Sequence, residues 1–466
     1  MASRTTMAEL VETQVSRYQE YKPTGVAWMP EIPVGWEVRK LKYVADINAN
    51  TMPETTDDTY SFRYLDIGNV TLGSIDYNVE PIIFKEAPSR ARRIIEKGDI
   101  LVSTVRTYLK AIAQVEEDTT NLIVSTGFAV VSARQGLDKR FLLYVSVSEK
   151  FVDTISAYST GVSYPAITAT ELSNMPVWFP VSLEEQRIIA RFLDDKTAQV
   201  DQLITQKQQM LALLREERAT LINHAITKGL DPQAPLRVSG VEWLGDVPAH
   251  WEVKRLKHLL VKIEQGWSPS CESRQAEPGE WGVLKVGCVN GLDFDVTENK
   301  ALPSELTPLP EYEINSGDFL ISRANTKELV GSAVVVGEIR PKLLLCDKIF
   351  RLFFRENANK EYVLLIVSSW YGRFQIQSES SGASSSMQNI SQEFLKNMLI
   401  LLPDRCEQQA IVEYVAEQAG RILETATAIN HEIALLQEYR AALITEVVTG
   451  QLDVRHCAPA AAAVLM

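Results

Sequence analysis

Residues 25–42, GVAWMPEIPVGWEVRKLK, return at 240–257 as GVEWLGDVPAHWEVKRLK, with nine of eighteen positions identical at an offset of 215. Such a repeat is either a linker cassette or the visible part of a larger duplication. The rest of the chain decides for duplication. EKGDILVSTVR (96–106) is echoed by NSGDFLISRAN (315–325), at offset 219. ITATELSNMPVWFPVSLEEQRIIARFLD (167–194) is echoed by ISQEFLKNMLILLPDRCEQQAIVEYVAE (390–417), at offset 223, which sets Gln186 against Gln409. LREERATLINHAITKGLD (214–231) is echoed by LQEYRAALITEVVTGQLD (436–453), at offset 222. A period near 220 residues is far too long for a solenoid and marks two copies of a domain-sized unit.

Each copy opens with the tryptophan-rich segment. Some 130 residues of mixed pattern follow, with strand-like runs such as DILVSTV, LIVSTGFAVVSA and MPVWFPV, and FLLYVSVSEKFVDTISAY read as one helix. Each copy closes with a long helix free of internal proline. The first starts after Pro180, where Ser182 and Glu185 have capping-box spacing, and runs to about Thr227 before Gly229. The second runs from about Cys406 to Thr449 before Gly450. Val415, Ile422, Ile429, Leu436 and Leu443 recur at sevens, widened by Ile411, Ile433 and Val447. Val200, Leu203, Met210, Leu214 and Leu221 give the first helix a similar stripe, interrupted by Lys207 and Glu217. Stripes of this length read as a coiled-coil seam, and each helix would be roughly 65 Å long. The fold class expected is α+β: two duplicated mixed α/β domains separated by two long antiparallel helices forming a rod, with pseudo-twofold symmetry. The boundaries read as an N-terminal segment 1–24, a first domain 25–180, a helix 181–229, a second domain 230–403, a helix 404–450 and a tail 451–466. The repeated tryptophan segments are expected to dock each domain onto the rod.

Composition narrows the function. The five cysteines (271, 288, 346, 406, 457) form no CxxC pair, so neither a disulfide framework nor a zinc site is indicated. No run of eighteen apolar residues and no signal-type N-terminus is present, which reads as a cytoplasmic protein without a membrane partner. The net charge of −13 argues against a coat that holds nucleic acid by bulk electrostatics, while leaving room for local basic patches. There is no GxxxxGK or GxGxxG phosphate loop and no NPPY-type motif. HEIAL at 431 lacks a second histidine, and ENK at 298–300 lacks an upstream Pro-Asp. Five histidines are few for acid–base work. The chain reads as a recogniser with no catalytic residue and no metal site.

GVEWLGDVPAHWEVKRLK, GDILVSTVR and the P(V/D)xxEQxxI starts of both long helices together resemble the specificity subunits of type I restriction-modification systems. The resemblance spans about residues 15–455 in both copies. The first copy departs from it only in having Pro30 where the second has Gly245. It implies a DNA sequence-recognition subunit whose two target-recognition domains each read one half of a bipartite, asymmetric site. The helices would set the gap between the halves and hold two copies of a DNA adenine methyltransferase subunit. A motor and nuclease subunit would join to cleave unmodified DNA. S-adenosylmethionine, ATP and Mg would belong to those partners, leaving no cofactor in this chain. The competing reading is a non-catalytic coiled-coil scaffold with two protein-binding heads.

Base readout calls for Arg, Lys, Asn, Gln, Ser or Thr on loops that enter a groove. STVRTYLK (103–110) offers Arg106, Thr107 and Lys110, and its counterpart SRANTKE offers Arg323, Asn325 and Lys327. STGVSYP (159–165) offers Ser163 and Tyr164, and SSGASSSMQN (380–389) offers Ser385, Gln388 and Asn389. Phosphate contacts are expected of Arg90, Arg92 and Arg93; Arg39, Lys40, Lys42, Lys254, Arg255 and Lys257 in the repeated segments are further phosphate candidates, with packing or salt bridges to the rod their favoured use. Trp36 and Trp251 read as structural anchors rather than base-stacking platforms.

Overall fold

The computed structural model describes residues 16–26, 28–117, 119–161, 164–290, 293–384 and 387–457. Two long helices, Leu183–Lys228 and Arg405–Val448, carry the two copies. The chain divides into two compact units, one made of residues up to Lys207 and from Asn430 onward, the other of Gln208–Ile429, so each unit holds part of both helices.

In the first unit a four-stranded sheet has the order Ile112–Gln114, Ile100–Ser103, Phe128–Ala133, Ala45–Ile47. A second has the order Pro81–Ile83, Ser61–Leu65, Leu122–Ser125, Ala91–Ile94, in which Leu122–Ser125 runs parallel to Ser61–Leu65. The run LIVSTGFAVVSA is thus two strands in different sheets, separated at Thr126 and Gly127. The stretch read as one helix is two, Lys139–Val147 and Glu149–Tyr158, because Ser148 between them takes an extended conformation (φ −65°, ψ 146°).

The second unit repeats the first sheet, in the order Leu260–Gln265, Ile349–Phe354, Phe319–Ser322, Ala333–Val335. Helices Lys360–Ser368 and Trp370–Glu379 follow it, as in the first unit. The other sheets differ: a three-stranded one of Asn299–Ala301, Gly282–Leu284 and Leu343–Leu344, and a ribbon of Ala324–Asn325, Met387–Asn389 and Ser381–Ser384. The three-stranded sheet keeps the core of its counterpart, Gly282–Leu284 running parallel to Leu343–Leu344 and antiparallel to Asn299–Ala301, and lacks a strand in the place of Ala91–Ile94 among the described residues.

The repeated tryptophan segment explains why the chain says it twice. Strand Trp36–Lys40 pairs antiparallel with Pro176–Pro180, and Glu252–Arg255 with Leu399–Leu402. Trp36 is fully buried, with its indole NH donating to Glu185 Oε1 (2.9 Å) at the start of the first long helix. The Tyr18 hydroxyl donates to the same oxygen (2.9 Å), and burial together with that carboxylate pushes its pKa well up. Glu185 therefore serves Trp36 and Tyr18 rather than closing the capping box with Ser182. On its other side Trp36 reaches the end of the second long helix, where Gly450 (φ +72°) has no room for a side chain: a Cβ would lie 2.5 Å from Pro33 and 3.6 Å from Trp36. The second unit mirrors this. Gly229 (φ +76°) ends the first long helix against Trp251 and Glu407, each 3.3 Å from the place of a Cβ. Each repeated segment thus seats the end of one helix and the start of the other in its own unit.

A buried glutamine locks each junction. Gln186 Oε1 accepts from the Asp138 backbone NH (2.7 Å), while its Nε2 donates to the carbonyls of Pro180 (2.7 Å) and Gly136 (3.1 Å). Asp138 in turn caps helix Lys139–Val147 through the NH groups of Arg140 and Phe141. In the second unit the same job falls to Gln408, which accepts from the Asn359 NH (3.1 Å) and donates to Pro403 O (3.0 Å), with Asn359 capping helix Lys360–Ser368. The partner of Gln186 is therefore Gln408 and not Gln409, which is exposed. The offset here is 222, as it is later along the helices.

The seam of the first helix also differs from the expected stripe. Met210 is 50% exposed, and the buried positions around it are Val200, Leu211 and Ile222. Lys207, expected as an interruption, lies on the seam, half-buried and paired with Glu432 within the first unit. Asp201 pairs with Arg440 there (3.0 Å), so Leu183–Lys207 and Asn430–Val448 run antiparallel. In the second unit Ile222, Ala225 and Ile226 share a core with Ile411 and Val415. On the second helix Val415, Ile429, Leu436 and Leu443 are buried as the heptads require.

Replacing either buried glutamine by leucine leaves a backbone NH and a carbonyl unpaired in a dry junction. Gln186→Leu and Gln408→Leu should each destabilise the protein by about 2–4 kcal/mol, and Gln409→Leu by under about 1 kcal/mol. Urea denaturation followed by circular dichroism distinguishes the three.

Candidate nucleic-acid interface

In the first unit the two loops singled out from sequence lie side by side. Strand Ile100–Ser103 is buried on both faces, so the chain leaving it is held to its last residues. Thr104 Oγ1 donates to Gly127 O (2.9 Å), and isolated bridges join Val105 to Ala166 and Thr160 to Ala166. Thr107 NH donates to Pro165 O (3.3 Å), and its hydroxyl donates to Ser159 Oγ (2.9 Å). Thr107 is only 4% exposed, so it fastens the two loops together and is not on the outer surface, contrary to the expectation that it reads bases. Arg106 and Lys110 are exposed, and the Arg106 guanidinium lies 5.3 Å from the centre of the Tyr164 ring. Ser163 lies outside the described residues.

The second unit joins the equivalent loops by strand pairing. Ala324 faces Asn389 and Asn325 faces Gln388 in the three-stranded ribbon, and the Ile390 NH donates to Arg323 O (3.0 Å). Asn325 Nδ2 donates to Asn290 Oδ1 (2.8 Å), and Asn325 Oδ1 accepts from the Thr326 NH (2.9 Å). Arg323 is half-buried and reaches Asp347 O (3.4 Å), whereas Lys327 is exposed. Ser385 lies outside the described residues. Asn325 and Asn290 thus bring two amides together, and Gln388 lies opposite Asn325 while Asn389 turns to the other face of the ribbon; amides are the side chains that pair in bidentate fashion with adenine. Asn290 comes from 35 residues upstream of Asn325, and no local pattern announces it.

The basic candidates are largely engaged. Arg90 pairs with Asp66 (2.6 Å) and donates to the Tyr64 hydroxyl (3.2 Å). Arg92 lies over the Phe84 ring (4.6 Å). Arg93 donates to Thr51 Oγ1 (3.0 Å), its Nε is buried without a partner among the described residues, and burial lowers its pKa. Arg39 pairs with Glu37 (2.6 Å), Lys254 with Glu252, and Arg255 donates to Asn397 (3.0 Å). The partners of Arg39, Lys254 and Arg255 thus lie within the domains and not on the long helices. Lys42 lies over the Tyr43 ring (5.4 Å), while Lys40 and Lys257 are exposed. Among the described residues no group of three or more His, Cys, Asp or Glu is placed to hold a metal, and no helix is long and apolar enough to cross a membrane.

Fold and loops define a duplicated α+β protein on two long helices, whose matching loop pairs differ in chemistry from copy to copy. Residues 33–213 match the family described as the type I restriction modification DNA specificity domain. The specificity subunit of type I restriction enzyme EcoEI of Escherichia coli is 27% identical over 306 residues, covering 63% of this chain and 51% of that protein. The EcoKI specificity subunit of Escherichia coli K12 is 24% identical over 322 residues, covering 67% and 65%. The chain thus spans about half to two thirds of the length of these relatives. A chain solved in work on complex assembly and conformational transition of the type I R-M system shares the fold, with a TM-score of 0.68 at 24% identity, over 90% of this chain and 98% of that one. Over residues 33–213 the chain is thus similar to the type I restriction modification DNA specificity domain, and beyond them to the specificity subunits named above.

The Thr107–Ser159 bond has a measurable consequence. Thr107→Ala removes about 1 kcal/mol of local stability from the paired loops. Hydrogen exchange at the amides of Thr160 and Ala166 should quicken roughly fivefold, while exchange in strand Ile100–Ser103 stays unchanged.

Proposed function

We propose that this chain is the non-catalytic DNA sequence-recognition subunit of a type I restriction-modification complex, each unit reading one half of a bipartite, asymmetric site. The observation that carries the reading is the pair of loop surfaces. They occupy equivalent places after equivalent strands, yet carry arginine, lysine and tyrosine in one copy and chiefly asparagine and glutamine in the other. Two different readers on one duplicated frame produce an asymmetric site, and half-site spacing belongs to the protein that spans them. In this reading the two long helices set that spacing and dock two adenine methyltransferase subunits, and a motor and nuclease subunit acts on unmodified DNA. The acidic total is compatible with this role when partner subunits supply further positive charge around the duplex. Arg106, Lys110 and Tyr164 are the base-reading candidates of the first unit, and Asn325, Lys327, Gln388 and Asn389 those of the second. Lys40, Lys42 and Lys257 are exposed candidates for phosphate. The domains proposed are residues 25–180 and 230–403, with helices 181–229 and 404–450 between and after them.

Adenine methylation mapped at single-base resolution, in a host carrying this gene and its methyltransferase, should give a gapped two-part motif that vanishes when this gene alone is deleted. Exchanging residues 48–165 for those of a relative should change one half of the motif and leave the other intact. An unaltered methylation pattern, with the methyltransferase expressed and assembled, would overturn the proposal.

A further inference from the structure

Loop 103–110 of the first unit contains a feature that plain base reading does not require. Thr107–Leu109 forms a single 3-10 turn, bracketed by Arg106 and Lys110, both in the left-handed region (φ 51° and 50°). Only five non-glycine residues among those described have positive φ, and two of them flank this one turn. Such backbone is held only where its surroundings impose it, and it gathers at ligand clamps. Here the surroundings are the Thr107 bonds to Ser159 and Pro165. Their effect is to aim Tyr108 and Leu109 outward, 55% and 48% exposed, beside Tyr164 at 67%. The apolar tip is flanked by the two cationic side chains of Arg106 and Lys110. The second unit has nothing of the kind: after its equivalent strand the chain enters the ribbon at Ala324–Asn325, and no described residue of 322–327 has positive φ.

We infer that the Arg106–Lys110 turn is a wedge, with Tyr108 and Leu109 entering a base step of the half-site read by the first unit and opening its stacking. A rigid apolar tip between cations suits this use. The cations keep the turn against the DNA and meet the base edges on either side of the step, and the apolar side chains cover the base faces that an opened step lays bare. Tyr164, under the Arg106 guanidinium, offers an aromatic face beside the opened step. The wedge depends on the DNA-reading function proposed above. It adds that the two half-sites are bound differently, one deformed and the other read by amides.

The test uses the full chain assembled with its methyltransferase, on duplexes carrying the motif found by methylation mapping. A fluorescent base is placed at one position at a time across both strands of the first unit's half-site, 2-aminopurine for adenine and pyrrolocytosine for cytosine, so every base pair is sampled. The expected result is a several-fold brightening at one step other than the methylated adenine. In Tyr108→Ala/Leu109→Ala at saturating protein that signal should fall to the level of the free duplex, and Tyr108→Phe should keep it. A separate duplex with 2-aminopurine at the methylated adenine of the other half-site serves as the control for assembly, and Leu109→Ala alone serves if the double variant does not assemble. No brightening in the native complex, or brightening undiminished in the variants, would overturn the wedge while leaving sequence-selective binding in place. If the native complex fails to prefer the motif over a scrambled duplex, the DNA-reading proposal itself falls, and the wedge with it.

Discussion

The structure hangs on one side-chain amide in each copy. Gln186 and Gln408 sit in dry junctions where three things must meet: a strand ending in proline, the cap of a domain helix, and the first turn of a long helix. A glutamine meets this need because its single amide both accepts and donates. It satisfies a backbone NH that begins one helix and a carbonyl that ends a strand, groups otherwise costly to bury. An apolar residue would leave both unpaired, and a glutamate could not donate. The angle at which each domain leaves its helix is thereby tied to a hydrogen-bond geometry with little slack. In a protein whose proposed task is to hold two readers in register on a duplex, rigidity at this joint matters more than bulk stability.

Much of this frame is legible in the chain because duplication writes each structural constraint twice. The tryptophan segments, the GD turn before the buried strand, the helix starts and the terminal glycines Gly229 and Gly450 all stand out by recurrence. What recurrence cannot supply is register within a helix. Two adjacent glutamines at 408 and 409 make either alignment plausible, and only burial separates them. The stripe of the first helix slips for a similar reason. Met210 and Leu211 are adjacent and both apolar, and a half-buried Lys207 paired with Glu432 holds a place that pattern reading gives to hydrophobes.

The reading loops are legible as places and less so as chemistry. Their positions follow from the repeated strand before them, and the pairing of the two loops in each copy emerges only in three dimensions. Thr107 illustrates the gap. Its residue type suits base contact, yet the fold commits its hydroxyl to Ser159. Tyr108 and Leu109, apolar residues in an otherwise polar loop, are the ones turned outward, because two left-handed residues on either side reverse the direction of the chain. Nothing in a one-dimensional pattern signals a left-handed arginine or lysine.

The contrast between frame and insert follows from what each must satisfy. The shared sheet, the capped helix and the glutamine junction must fit one another, so the two copies solve the same packing problem with nearly the same residues. The loops answer to an external surface and are free to diverge as long as their anchors hold. In the first unit the anchors are a buried hydroxyl pair and isolated bridges, which fix a compact turn. In the second they are strand pairs, which fix a short three-stranded ribbon with a register shift between Ser381 and Ser384. The bridges Val105–Ala166 and Thr160–Ala166 stand where Ala324–Asn389 and Ser381–Asn389 stand in the second unit, so the copies share the pairing between loops and differ, among the described residues, in the left-handed turn that follows it in the first. If the two units read DNA as proposed, asymmetry of the site follows from backbone architecture as well as from side-chain identity.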